Sequence, residues 1–181
     1  MDKLLIQNAR VYQNGQFVRA DVLCGDALIA KIGENLTDEE ARVIQADGLR
    51  LVPGFIDVHT HGAAGVDVNA ADEAGLRRIA AFFATQGVTA FNASVLTDTP
   101  ETTEKCLGAI ANVMSDRGMG AQLLGAHLEG PFLAKEYKGA MPEALLREGD
   151  EKLLRAYQNR FPGVIRYITV SPEVPLSLIH I

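Results

Sequence analysis

The 181 residues are 48% hydrophobic and 22% charged, which suits a globular chain with one sizeable core and excludes a disordered or fibrous protein. A net charge of -6, a pI near 5.2 and the lack of any basic run exclude a nucleic-acid partner, because counterion release needs clustered Lys and Arg. No apolar run reaches membrane-spanning length, so no membrane partner is expected.

The first twenty residues carry Asp2, Arg10 and Arg19 in an alternating apolar pattern, not the continuous apolar stretch of a signal peptide. Cys24 and Cys106 lie far apart and outside any C-x-x-C spacing, so neither a disulfide framework nor a thiolate zinc site is expected, and the reading is cytoplasmic. A metal would then be held by imidazole and carboxylate, the ligand set of catalytic sites.

From Lys3 to about Ile44 the pattern predicts short strands, with Leu4, Ile6, Val11, Phe17, Val18, Val22, Leu23, Leu28 and Ile29 between polar hinges. Asn14-Gly15, Gly25-Asp26 and Asp47-Gly48 are the predicted turns, where Gly or Asn supplies a positive φ at low cost. Residues 1–50 thus read as a small β-sandwich module near the lower size limit for independent stability.

After Gly48, strands and helices alternate. A strand over Arg50 to His61 is followed by a helix over Asp72 to Gln86, with Leu76, Ile79, Ala80 and Phe83 at helical spacing and Gly87 as the stop. A strand over Val88 to Leu96 leads to Thr99 as helix cap, Pro100 at the first position, a buried stripe of Leu107, Ile110, Ala111 and Met114, and Gly118 as the end. Gln122 to Glu129 is the third strand. A loop through Gly139 leads to a helix from Pro142, interrupted near Gly149 and restarted at Asp150, with Leu153, Leu154 and Tyr157 on one face, and Val164 to Val170 is the fourth strand.

Strands separated by helices predict parallel β/α units with right-handed crossovers. An open doubly wound sheet would place a glycine-rich phosphate turn after its first strand, where this chain has His59-Thr60-His61-Gly62. A (β/α)8 barrel needs eight units over roughly 250 residues. Residues 51–175 therefore read as the first half of a TIM-like barrel, truncated, and 176–181 as an atypical tail.

His59 and His61 sit two apart at the end of the first barrel strand, the end where barrel enzymes place their chemistry, and i, i+2 side chains share a face. They are two ligands for one cation, or an ordinary pair of histidines at a strand end. His127 and Glu129 repeat the spacing at the end of the third strand. An unpaired buried carboxylate is costly, so Glu129 calls for a metal or for an ion pair with Lys135 or Lys138. His127 is a third ligand, a donor behind the ligands, or a satisfied core histidine.

The stretch Val52-Pro53-Gly54-Phe55-Ile56-Asp57-Val58-His59-Thr60-His61-Gly62, with Gly65 and Asp67, resembles the first-strand motif of the amidohydrolase superfamily. His127-Leu128-Glu129-Gly130-Pro131-Phe132, followed by Lys138-Gly139-Ala140, is more specific and resembles the N-acetylglucosamine-6-phosphate deacetylases. The similarity runs from about Lys3 to Glu173. It implies an N-terminal β module completed by C-terminal sequence, Glu129 as the main metal ligand, and His59 and His61 available for a second metal position, with one or two divalent cations (Zn, Fe or similar). Ala140 and Met141 fall where that family contacts substrate. Some relatives have His in place of Met141, whose side chain cannot donate a hydrogen bond, so a contact there uses backbone or packing.

The reaction that the resemblance implies is hydrolysis of the acetamide of N-acetylglucosamine 6-phosphate. A divalent cation lowers the pKa of water toward ~7 and polarises the amide carbonyl, and a carboxylate carries the proton to the leaving amine. The family's catalytic Asp and two further metal histidines are expected on later strands, so no catalytic acid lies in these residues and the chain alone is expected to be inactive. The resemblance also implies a homo-oligomeric parent. Pro175 to Ile181 departs from the pattern, and His180 is not a candidate ligand.

Overall fold

The computed structural model describes residues 3–118 and 120–178, so His180 and the end of the 176–181 tail lie outside the described residues. The chain divides into two compact units, Met1–Pro53 and Gly54–Ile181, with the division three residues beyond the expected 50/51 boundary.

In the first unit β1 (Leu4–Gln13) pairs antiparallel with β2 (Gln16–Gly25), which pairs with β3 (Leu28–Gly33). On its other side β1 pairs parallel with β4 (Arg42–Gln45) and β5 (Arg50–Leu51). This mixed sheet forms one layer of the expected sandwich. Asn14 and Gly15 turn the first hairpin with φ of 48° and 84°, the paired positive values a two-residue hairpin needs. The second turn falls on Asp26 and Ala27, one residue later than expected, because Gly25 stays in the ladder opposite Leu28. A bulge at Asn8 is held by the buried Asp21 carboxylate, which accepts the Asn8 N–H at 2.7 Å and the Leu36 N–H at 2.9 Å. Sequence reading did not single out Asp21.

The second unit opens with β6 (Phe55–Thr60), a small hairpin of β7 (Gly62–Ala63) and β8 (Val66–Asp67), and a 3-10 turn at Val68–Ala70. α1 (Glu73–Thr85), β9 (Val88–Leu96), α2 (Pro100–Val113), β10 (Gln122–Glu129), α3 (Glu151–Arg160) and β11 (Ile165–Thr169) follow. Four strands pair parallel in the order β11-β10-β9-β6, so each β/α unit lays its strand beside the previous one. That sequential order is barrel topology and not the reversal of a doubly wound sheet.

Each helix starts on a side-chain cap: Asp72 accepts from Gly75 N–H at 2.8 Å, Thr99 from Thr102 N–H at 3.2 Å, and Asp150 from Leu153 N–H at 3.0 Å. α1 buries Leu76, Ile79, Ala80 and Phe83, as their spacing predicts. α2 ends at Val113, short of Gly118, and its buried stripe is Thr103, Cys106, Leu107, Ile110 and Val113, with Ala111 and Met114 only half-buried. These faces close over Phe91, Val95, Leu123 and Leu128 of the sheet. Burial pushes the Cys106 thiol up to about 11, so it behaves as a core residue. Because Ile110 is fully buried, Ile110→Ala is expected to cost about 2–5 kcal/mol, read as a fall in the urea midpoint.

The helix expected from Pro142 is a single 3-10 turn, Glu143–Leu145. Its continuation is pre-empted by tertiary bonds: Arg147 N–H donates to Pro131 O at 3.0 Å and Gly149 N–H to Pro175 O at 2.9 Å. None of the described helices is long and apolar enough to cross a membrane.

Candidate metal centre

The C-terminal ends of the parallel strands carry the polar residues. His59 is near the end of β6, His61 just beyond it, and Glu129 is the last residue of β10. β9 lies between them, pairing Ala93 with Thr60 and Leu96 with Glu129. Both imidazole Nε2 atoms approach one oxygen, Glu129 Oε2, at 3.3 Å from His59 and 3.0 Å from His61. Ligand atoms about 2.1 Å from one tetrahedral ion stand about 3.4 Å from each other, so this spacing suits a shared cation. One ligand atom from each of the three side chains lies within 4.8 Å of the other two. The donor set of two imidazoles and a carboxylate therefore fits a divalent cation.

The side chains are 48%, 41% and 22% exposed for His59, His61 and Glu129, so a cation reaches them from solvent. The alternative ion pairs for Glu129 do not form. Lys135 binds Glu143 at 2.7 Å, and Lys138 Nζ donates to the carbonyls of Met141 and Gly139. His61 Nδ1 meets Ser94 O at 3.3 Å, and since a carbonyl only accepts, Nδ1 carries the proton and Nε2 remains the ligand atom.

His127 is fully buried, and its ring is held at both nitrogens, Nδ1 by Ser94 Oγ at 2.9 Å and Nε2 by Thr169 Oγ1 at 2.8 Å. With both nitrogens occupied it is not a third ligand in this arrangement. Burial, with the His59 ring beside it, pushes its pKa down to about 4, so the ring is neutral at neutral pH. It stacks on Tyr167 at 4.2 Å between centroids and meets His59 edge-on at 4.7 Å. The Tyr167 hydroxyl donates to Val58 O.

The main chain of Glu129 is fixed as well, its carbonyl accepting from Thr97 Oγ1 at 2.8 Å. The next residue must be glycine. Gly130 has φ of +91°, and a Cβ there would lie 2.1 Å from Thr97 Oγ1.

Ala140 and Met141 stand in the loop between the two 3-10 turns after β10, where Ala140 is exposed and the Met141 side chain is buried. No hydrogen bond joins either residue to the His59, His61 and Glu129 cluster among the described residues. Ser94, Thr97, Thr169 and Tyr167 were missed by sequence reading. Ser94 left only a weak signal, as one of the polar residues, with Thr89 and Asn92, inside a mostly apolar strand.

Parallel β/α units whose strand ends gather imidazole and carboxylate groups define an amidohydrolase-type fold with a candidate metal site. Among solved structures, N-acetyl-D-glucosamine-6-phosphate deacetylase from Mycobacterium smegmatis, a D267A mutant in complex with N-acetyl-D-glucosamine-6-phosphate, matches 99% of this chain and 46% of its own, at 25% identity and a TM-score of 0.84. A D-hydantoinase, at 29% identity, matches 74% of this chain and 28% of its own with a TM-score of only 0.53. The N-acetylglucosamine-6-phosphate deacetylase of Mus musculus is 40% identical over 183 residues, which is 96% of this chain and 44% of the relative. Across nearly its whole length the chain is similar to the N-acetylglucosamine-6-phosphate deacetylases, a family of hydrolases. No protein-family model matches it. The chain spans a little under half the length of the curated relatives it matches.

Proposed function

We propose that a protein carrying this sequence is a metal-dependent hydrolase that removes the acetyl group of N-acetylglucosamine 6-phosphate, giving glucosamine 6-phosphate and acetate. The observation that carries this reading is the approach of His59 Nε2 and His61 Nε2 to Glu129 Oε2 at the C-terminal strand ends. His59, His61 and Glu129 would hold the cation. Bound there, a divalent cation supplies Lewis-acid polarisation of an amide carbonyl and acidifies water.

The chain's own residues present and orient those ligands. His61 is turned by Ser94 O, and Glu129 is anchored at its carbonyl by Thr97. The loop of Ala140 and Met141 would meet the sugar through its backbone, since the Met141 side chain is buried and has no hydrogen to donate. A cyclic-amide hydrolase is disfavoured by the weaker likeness to D-hydantoinase, and a non-catalytic barrel protein by the retention of all three ligands. Cytoplasmic residence and a homo-oligomeric assembly accompany the reading.

The test compares substrates with a full-length protein that contains these residues. Acetate release is expected to be faster from N-acetylglucosamine 6-phosphate than from unphosphorylated N-acetylglucosamine. Equal rates on the two would sink the sugar-phosphate reading while leaving the metal assignment standing.

A further inference from the structure

We propose that Ser94 and Thr169 are positioning residues for the metal ligands, acting through His127, a role that rests on the metal-centre reading above. The argument starts from burial. Ser94 and His127 are both 0% exposed, in a sheet whose neighbouring residues are mostly apolar. Polar groups in such a place are retained at a cost unless every hydrogen-bonding atom is used, and here they are.

Ser94 does two things at once. Its carbonyl accepts from His61 Nδ1, and its hydroxyl bonds His127 Nδ1 at 2.9 Å. The register of the sheet makes this possible, because β9 and β10 place Ser94 directly beside His127. On the other side, Thr169 of β11 holds His127 Nε2 at 2.8 Å. A neutral imidazole has one N–H and one lone pair, and a hydroxyl can serve either, so one hydroxyl accepts from the ring while the other donates to it. The ring plane is set by Tyr167, stacked at an interplanar angle of 11°.

The fixed His127 ring then limits His59. Their centroids are 4.7 Å apart at 82°, so His127 presents a wall against which the His59 imidazole stands while its Nε2 faces Glu129. His61 is held by the Ser94 carbonyl and His59 by the His127 ring, which Ser94 and Thr169 fix. One hydrogen-bonded line across β9, β10 and β11 thus aims both imidazoles at the same carboxylate oxygen. Removing a hydroxyl would free the His127 ring to rotate and loosen His59, without touching any ligand atom.

The experiment titrates a full-length protein that contains these residues with Co(II), reading affinity by equilibrium dialysis and ligand geometry by visible absorption, with the urea midpoint of each variant measured alongside. Ser94→Ala and Thr169→Val are each expected to weaken Co(II) binding by about 10-fold, the lower end of what loss of an outer hydrogen-bond partner costs, and to alter the visible spectrum. Ser94→Thr and Thr169→Ser, which keep the hydroxyl, are expected to restore both. Should Ser94→Ala fail to fold, Thr169→Val carries the test, since Thr and Val have the same shape. Unchanged affinity and spectrum in a folded Thr169→Val protein would overturn the positioning role while leaving the metal centre intact. Failure of the unsubstituted full-length protein to bind Co(II) would overturn the metal-centre reading and this inference with it.

Discussion

Glu129→Gln is expected to lower the affinity of the protein for Zn(II) or Co(II) by more than about 100-fold, beyond the range lost with an outer hydrogen-bond partner. The substitution keeps the shape of the side chain and removes its charge. In the structure both His59 Nε2 and His61 Nε2 point at Glu129 Oε2, so this carboxylate is the group common to both contacts. An amide offers a weaker oxygen donor and leaves the cation's desolvation without a compensating negative charge. No substitute lies to hand, because Lys135 and Lys138 are engaged elsewhere and bring the wrong sign. Calorimetric titration of the two proteins makes the comparison. Equal affinities would remove Glu129 from the metal centre.

The second large effect concerns the 181 residues assayed by themselves. They are expected to release no acetate from N-acetylglucosamine 6-phosphate above background and to elute well above their monomer mass of 19.5 kDa. Departure of an amine requires a proton at the nitrogen. Among the described residues the strand ends offer three groups proposed to hold the cation and a neutral His127 with both nitrogens taken, which leaves no acid in place. Association follows from the sheet. β6 pairs only with β9 and β11 only with β10 among the described residues, so each presents an open edge. Phe55, Ile56 and Val58 of β6 are 65%, 61% and 55% exposed. Apolar strands with unpaired amides template pairing with other copies. A monodisperse monomer that turns over the sugar phosphate in a metal-dependent way would contradict both halves of this expectation.

Local sequence determined much of this protein. The caps at Asp72, Thr99 and Asp150, the stripe through Leu76, Ile79, Ala80 and Phe83, and the bounds of β9 and β10 follow from spacing and capping, which act within a few residues of the chain. The candidate ligands were legible for the same reason. His59, His61 and Glu129 are polar residues at the ends of apolar strands, and parallel β/α order carries those ends to one side.

Tertiary structure decided what lies between the elements. The turn at Asp26 and Ala27 is set by which residue pairs with Leu28, and the segment after Pro142 gives up helix because its amides find Pro131 and Pro175, partners remote in sequence. The role of His127 was open among ligand, donor and core residue until the register of β9 and β11 supplied Ser94 and Thr169 to its two nitrogens. A hydrogen bond needs two atoms within about 3 Å. Periodicity shows which face a side chain takes, while only the pairing of strands determines which partner waits there.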